Sequence, residues 1–209
     1  MTPRLRLLAR IMLGVTLGAL LLTVVAASAV AADPALRYRA TLIREAQAVF
    51  GLNAPVPALA GQIHQESSWR PGVTARDNGR GLAQFMDATA EQVSRSYPEL
   101  GAPDPYNPQW AIRALVRYNE WIYKRVLGKD ACNRWAATFK GYNAGPGYVM
   151  QAQKASPDPG TWFGVTEFVP TRQSPANFEH SRLYPRKIIF RHQPLYADWG
   201  QTICLQRTP

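Results

Sequence analysis

The chain has 209 residues, of which 46% are hydrophobic and 18% charged, with 24 Lys and Arg against 14 Asp and Glu for a formal net charge of +10; this suits one domain with a substantial core and leaves little room for a second. The basic excess contains no basic run and no finger-type spacing, which argues against nucleic acid as a partner. His64, His180 and His192 are dispersed and neither cysteine sits in a CxxC pattern, so neither a metal nor any other cofactor is implied.

Residues 1–32 read as an export leader: Arg4, Arg6 and Arg10 precede an uncharged apolar stretch over 11–30, and the small residues Val30-Ala31-Ala32 come before Asp33. The apolar stretch is long for a signal peptide and close to the length that spans a bilayer, so two readings stand, a cleaved signal and an uncleaved inner-membrane anchor. Both direct residues 33–209 to the periplasm. That segment keeps all 14 acidic residues and all but the leader's three arginines, for a charge of +7, which favours polyanions such as the carboxylates of wall peptides and anionic lipid head groups. Simple solubility accounts for the charge equally well.

The exported segment reads as helices joined by Gly- and Pro-rich loops. A first helix is predicted over 36–50, with Leu42, Ile43, Ala46, Val49 and Phe50 at helical spacing and Gly51 as its left-handed stop. Pro57 is predicted as the first position of a second helix over 58–65, with Glu66 at its end. Asp87 is expected to cap a third helix through 93. Asn107-Pro108 opens the clearest helix, with Ile112, Leu115, Val116, Ile122 and Val126 on one side and Gly128 at its end. Helices over 131–140 and 148–155 flank a loop at 141–147, residues 162–169 read as extended, and a last helical stretch surrounds 184–190. The expected fold class is mainly α, in a single domain. Two states are open to Cys132 and Cys204: a disulfide, which by closing a loop of roughly seventy residues would stabilise the fold by about 4 kcal/mol, or two separate buried thiols.

Glu66 carries the chemistry. A carboxyl at the C-terminal end of an apolar helix meets the negative end of the helix dipole and partial burial, and both disfavour the anion; such a group is suited to protonating a glycosidic oxygen. Most glutamates are simply solvated, but this one is followed by Ser67 and by two segments suited to sugar. In Gly81-Leu82-Ala83-Gln84-Phe85, glycine permits close backbone approach and Gln84 offers an amide to hydroxyl and acetamido groups. Gly141-Tyr142-Asn143-Ala144-Gly145 pairs an aromatic face with a second amide. Each alone is also compatible with an ordinary turn.

Taken in order, and with Ser181-Arg182-Leu183-Tyr184 and Lys187-Ile188-Ile189 behind them, these segments resemble the catalytic domain of soluble lytic transglycosylases, over about residues 58–190. The resemblance implies a lysozyme-like single catalytic domain that cuts peptidoglycan glycan strands at the β-1,4 bond between N-acetylmuramic acid and N-acetylglucosamine, leaving 1,6-anhydro ends. It implies Glu66 as the single acid and then base, Ser67, Gln84, Tyr142 and Asn143 as substrate-binding residues, and Tyr184 as the phenol that orients Glu66. Departures from the family pattern are Ala83 where a larger residue is usual, which would widen a subsite, Gly141 for a frequent Ala, His180 where an acid is common, and Pro185, which would kink or restart the helix after Tyr184. A goose-type lysozyme-like hydrolase is the enzymatic rival and needs a second acid, for which Asp77 and Asp87 are the nearby aspartates. A wall-binding component of an envelope-spanning secretion or conjugation apparatus is the rival outside enzymes, by analogy alone.

Overall fold

The computed structural model describes residues 33–204, so the leader expected over residues 1–32 lies outside the described residues. Helix α1 (Leu36–Phe50) turns Tyr38, Leu42 and Ala46 inward, one turn apart, and ends where Gly51 takes a φ of 78°. Helix α2 (Val56–Ser67) begins at Val56, so Pro57 is its second residue, where a missing N–H still costs no helical bond. Its residues from Val56 to Ile63 are all buried, the mark of a helix enclosed on every side. It is enclosed by α1 and by two C-terminal turns.

Asp87 does not cap α3 (Asp87–Ser96). It is the first helical residue behind Met86, which makes no capping bond, and its carboxylate instead meets Arg80 at 2.7 Å. The helix also runs beyond 93, burying Ala90 and Val93. Helix α4 (Pro108–Tyr123) is capped as expected, Asn107 accepting from the backbone N–H groups of Gln109 and Trp110. It stops earlier than Gly128 because the Arg134 side chain donates to the Tyr123 carbonyl at 2.9 Å and satisfies the helix end there.

Helix α5 (Ala131–Ala144) starts from an Asp130 cap and α6 (Pro146–Ala155) follows almost at once. The predicted loop at 141–147 is therefore a correction: Tyr142 and Asn143 are helical and only Gly145, with φ 96°, interrupts the run. Gly141 lets α5 lie close to α4, since a Cβ there would come within 2.8 Å of the Ile122 side chain.

The extended segment predicted over 162–169 is instead a set of turns ending in a 3-10 turn, Thr166–Phe168. The buried carboxylate of Glu167 folds it back, accepting from the Gly164 N–H at 2.7 Å and pairing with Arg186 at 2.6 Å. Among the described residues there are only isolated bridges, Thr74 with Arg80 and Arg80 with Phe85.

Helix α7 (Pro175–Arg186) contains Pro185 in its last turn, and the chain neither stops nor restarts there. Its pitch changes, through a π-helical turn (Lys187–His192) and a 3-10 turn (Gln193–Trp199). These two turns grip α2: the Tyr196 hydroxyl sits 2.6 Å from His64 Nδ1 and accepts from the Trp69 indole at 2.7 Å, while His192 Nε2 lies 3.1 Å from Gln65 Oε1. Gln193, fully buried, holds the tail by exchanging two bonds with the backbone of Ile203. The next residue, Cys204, is joined to Cys132 at the start of α5 by a disulfide. No helix among the described residues is long and apolar enough to cross a membrane.

Candidate active site

Glu66 lies in the last turn of α2, half-buried at the floor of a cleft of about 260 Å³ that is also lined by Gln65, Asp77, Gln84, Tyr142, Asn143 and Tyr184. The buried Tyr184 hydroxyl donates to Glu66 Oε1. Removal from water pushes the Glu66 carboxyl up to about 8; the Tyr184 bond works against that rise and the negative charge of Asp77 adds to it. Burial and the neighbouring Glu66 charge hold the Tyr184 and Tyr142 phenols well above their ordinary range. Both therefore remain neutral donors. With Oε1 occupied by Tyr184, Oε2 is the oxygen able to carry the acid proton.

Tyr142 forms one wall of the cleft. Its ring packs against Phe85 and Tyr118, with centroids 5.8 and 5.4 Å apart, and its hydroxyl donates to the Ala83 carbonyl at 2.8 Å. That bond ties α5 to the loop before α3. The loop is shaped by Gly81, whose φ is +72° and whose Cα presses on the next segment so closely that a Cβ would lie 1.8 Å from the Pro105 carbonyl oxygen. Gln84 has φ 51° and donates both amide hydrogens within its own loop, to Gly81 at 2.7 Å and Val73 at 3.4 Å. Its carbonyl oxygen alone is left for a ligand, half of what the sequence suggested. Asn143 is exposed on the rim, as is His180.

Two expectations fail. Ser67 is buried and its hydroxyl points back along α2 to the Ile63 carbonyl at 3.4 Å, the back-bond that a helical serine makes readily; it does not line the cleft. Ala83 is also in the core and widens no subsite.

Sequence reasoning missed the layer beneath Glu66. Gln62, one turn earlier on α2, is fully buried, accepts from the Asn119 amide at 2.8 Å and lies beside the Tyr184 hydroxyl. Asn119 itself is held by the Leu115 carbonyl at 2.9 Å. Two amides inside helices carry no local signature, and only their complete burial gives them away. Among the described residues no group of His, Cys, Asp and Glu side chains could hold a metal ion.

The Tyr184 bond lowers the Glu66 pKa, so Tyr184→Phe is expected to raise it further, above about 8. A carbon-detected NMR titration of the Glu66 carboxyl measures this. A value moved toward 4.5 would show that the phenol contributes to the shift in the opposite sense.

A family model for the transglycosylase SLT domain matches residues 42–163. The membrane-bound lytic murein transglycosylase F of Maricaulis maris is 30% identical over 132 residues, covering 59% of this chain and 27% of that protein. Its namesake in Marinobacter nauticus is 28% identical over 118 residues, covering 54% and 22%. Two solved structures are similar: an inactive mutant of the lytic transglycosylase Slt from Pseudomonas aeruginosa, with a TM-score of 0.60 at 22% identity over 79% of this chain and 25% of that one, and the 70 kDa soluble lytic transglycosylase of Escherichia coli, with 0.57 at 21% over 82% and 26%. The chain spans about a quarter of the length of these relatives. At that identity the solved structures speak for the fold, which is mainly α and lysozyme-like.

Proposed function

Because this chain belongs to the transglycosylase SLT domain family, we propose that it is a peptidoglycan lytic transglycosylase that cuts the β-1,4 bond between N-acetylmuramic acid and N-acetylglucosamine. The observation that carries this reading is a half-buried carboxyl, with its pKa pushed up to about 8, at the floor of a polar and aromatic cleft. Near neutral pH such a group holds a proton to give. Glu66 donates it to the glycosidic oxygen, the bond from that oxygen to the muramic C1 breaks, and positive charge spreads over C1 and the ring oxygen. Glu66, now a carboxylate held in place by Tyr184, accepts the proton of the same sugar's C6 hydroxyl as its oxygen bonds to C1. The products are a 1,6-anhydromuramic end and a free 4-hydroxyl on N-acetylglucosamine, and the nucleophile comes from the substrate itself.

Gln84, through its carbonyl, and Asn143 take the roles of sugar-binding groups, and Tyr142 that of a cleft wall. The leader supports a periplasmic location, with the +7 segment facing the wall, and an envelope-spanning secretion or conjugation apparatus is the kind of assembly that such a compact enzyme would serve. Hydrolysis remains the rival because Asp77 shares the cleft with Glu66; a water-activating carboxylate would leave reducing ends. Mass spectrometry of the fragments released from purified sacculi separates the two. Anhydro ends are expected, and predominantly reducing ends would replace this reading with the hydrolytic one.

A further inference from the structure

The catalytic cleft does not end at Asn143. It continues between the end of α5 and the first turns of α7 into a second hollow of about 360 Å³, which shares Asp77, Asn143 and His180 with the cleft. Beyond it lies an open basin of about 700 Å³ along α6, reached past Ala144, Tyr148 and Arg172. The character of the lining changes along this path. At the near end stand the carboxyls of Glu66 and Asp77, and at the far end Arg172 and Lys154. Neither cation has an ion-pair partner among the described residues.

A third cation lies under the same hollow. Lys140 is buried to 2% exposure, and its ammonium donates to neutral oxygens only, Gln173 Oε1 at 3.1 Å and the Ser181 hydroxyl, both of which belong to residues that line the hollow. Burial, and after it the repulsion of Arg182, pull Lys140 down to about 8. A buried ammonium without an anion is costly, and an incoming carboxylate would offset that cost. The segment that carries Arg172 is itself fixed. The Arg172 N–H donates to Gln151 of α6 at 3.1 Å, and Thr171 donates to Gln173 at 3.3 Å. The far arm is thus a polar groove with Arg172 and Lys154 in its lining and Lys140 beneath it, and Asp77, at the end it shares with the cleft, is the one acid among its lining residues.

We propose that this arm seats a free carboxylate of the peptide stem carried by the glycan strand, with Arg172 as the direct ligand, Lys154 at the mouth and Lys140 supplying positive potential through Gln173 and Ser181. The proposal rests on the transglycosylase reading of the cleft, because it requires a strand lying across Glu66 whose stem hangs toward α6. A groove that continues the cleft suits a group attached to the bound strand better than it suits a flat lipid surface. Asp77 keeps a carboxylate from settling at the near end.

The test compares three forms of one purified glycan strand: with intact stems, with the stem carboxyls converted to amides, and with the stems removed by an amidase. The full chain is expected to cleave intact strands about fivefold more efficiently in kcat/KM than either treated form, the worth of one partly exposed ion pair. Arg172→Ala should bring the three rates together, Lys154→Ala should reduce the preference, and Arg172→Lys should restore part of it. Equal rates on all three substrates by the unaltered protein would overturn the proposal while leaving the transglycosylase reading intact, provided that anhydro ends still form. A preference that survives Arg172→Ala would also overturn it. If no strand yields anhydro ends, the reading beneath the proposal falls and takes the proposal with it.

Discussion

Glu66→Gln is expected to abolish strand cleavage and to make the protein more stable. A glutamine retains the shape of the side chain and an oxygen for the Tyr184 hydroxyl but has no proton to donate, so turnover should fall by about 10³-fold or more, toward the upper end of what a positioned general acid contributes. The stability effect follows from the same displaced pKa. In the unfolded chain the carboxyl titrates near 4.5, and in the folded protein near 8. Between those values the folded state binds the proton more tightly, so the wild-type protein loses stability as pH rises through that window, whereas the glutamine variant does not titrate. The two proteins should therefore melt alike below about pH 4.5, diverge from there upward, and reach a constant difference above about pH 8. Allowing for water at the half-open carboxyl, that difference is on the order of 2 to 4 kcal/mol, or roughly 5–15 °C in Tm for a domain of this size. Calorimetry across pH 4 to 9 would read it, and a gap that stays flat or narrows with pH would contradict the burial argument.

The second large effect is expected at the disulfide. Cys132 and Cys204 are separated by 72 positions, and opening a loop of that length should cost about 4 kcal/mol through the greater freedom of the unfolded chain. Replacing both by serine should lower Tm by roughly 8–15 °C under non-reducing conditions, and a thiol reductant should bring the wild-type protein to the same value. If the reductant leaves the melting curve unmoved, the bridge contributes nothing to stability. The change should reach the cleft through the tail, because Cys204 follows the residue that Gln193 holds, and Gln193 opens the 3-10 turn packed against α2.

How much of this was legible in the sequence depended on whether the signal was local. Helices α1 and α4 could be read because their apolar positions repeat with a single period and their ends carry Gly51 and Asn107-Pro108. The end of α4 could not, since a side chain from the next helix, Arg134, closes it. The segment around Tyr142 was misread as a loop because Gly, Asn and Gly dominate it, whereas the packing of Gly141 on Ile122 and of the Tyr142 ring on Phe85 and Tyr118 keeps it helical. Glu66 is legible from its position at a helix end only together with the segments that follow it, and Tyr184 from family resemblance alone. Ser67 failed because adjacency to Glu66 in the chain says nothing about which way a helical hydroxyl turns. Gln62 and Asn119 needed the packed structure, since the contact between them joins two helices 57 positions apart.

The phenol that bonds Glu66 stands 118 positions farther along the chain, and the turns that enclose α2 come later still. Before those turns dock, the carboxyl is expected to be open to water and to titrate nearer the ordinary carboxylate range. A partly assembled or C-terminally truncated molecule is therefore expected to be a poor general acid. A fragment that stops at residue 163, where the family match ends, would contain the glutamate without Tyr184 and without the turns that pack on α2.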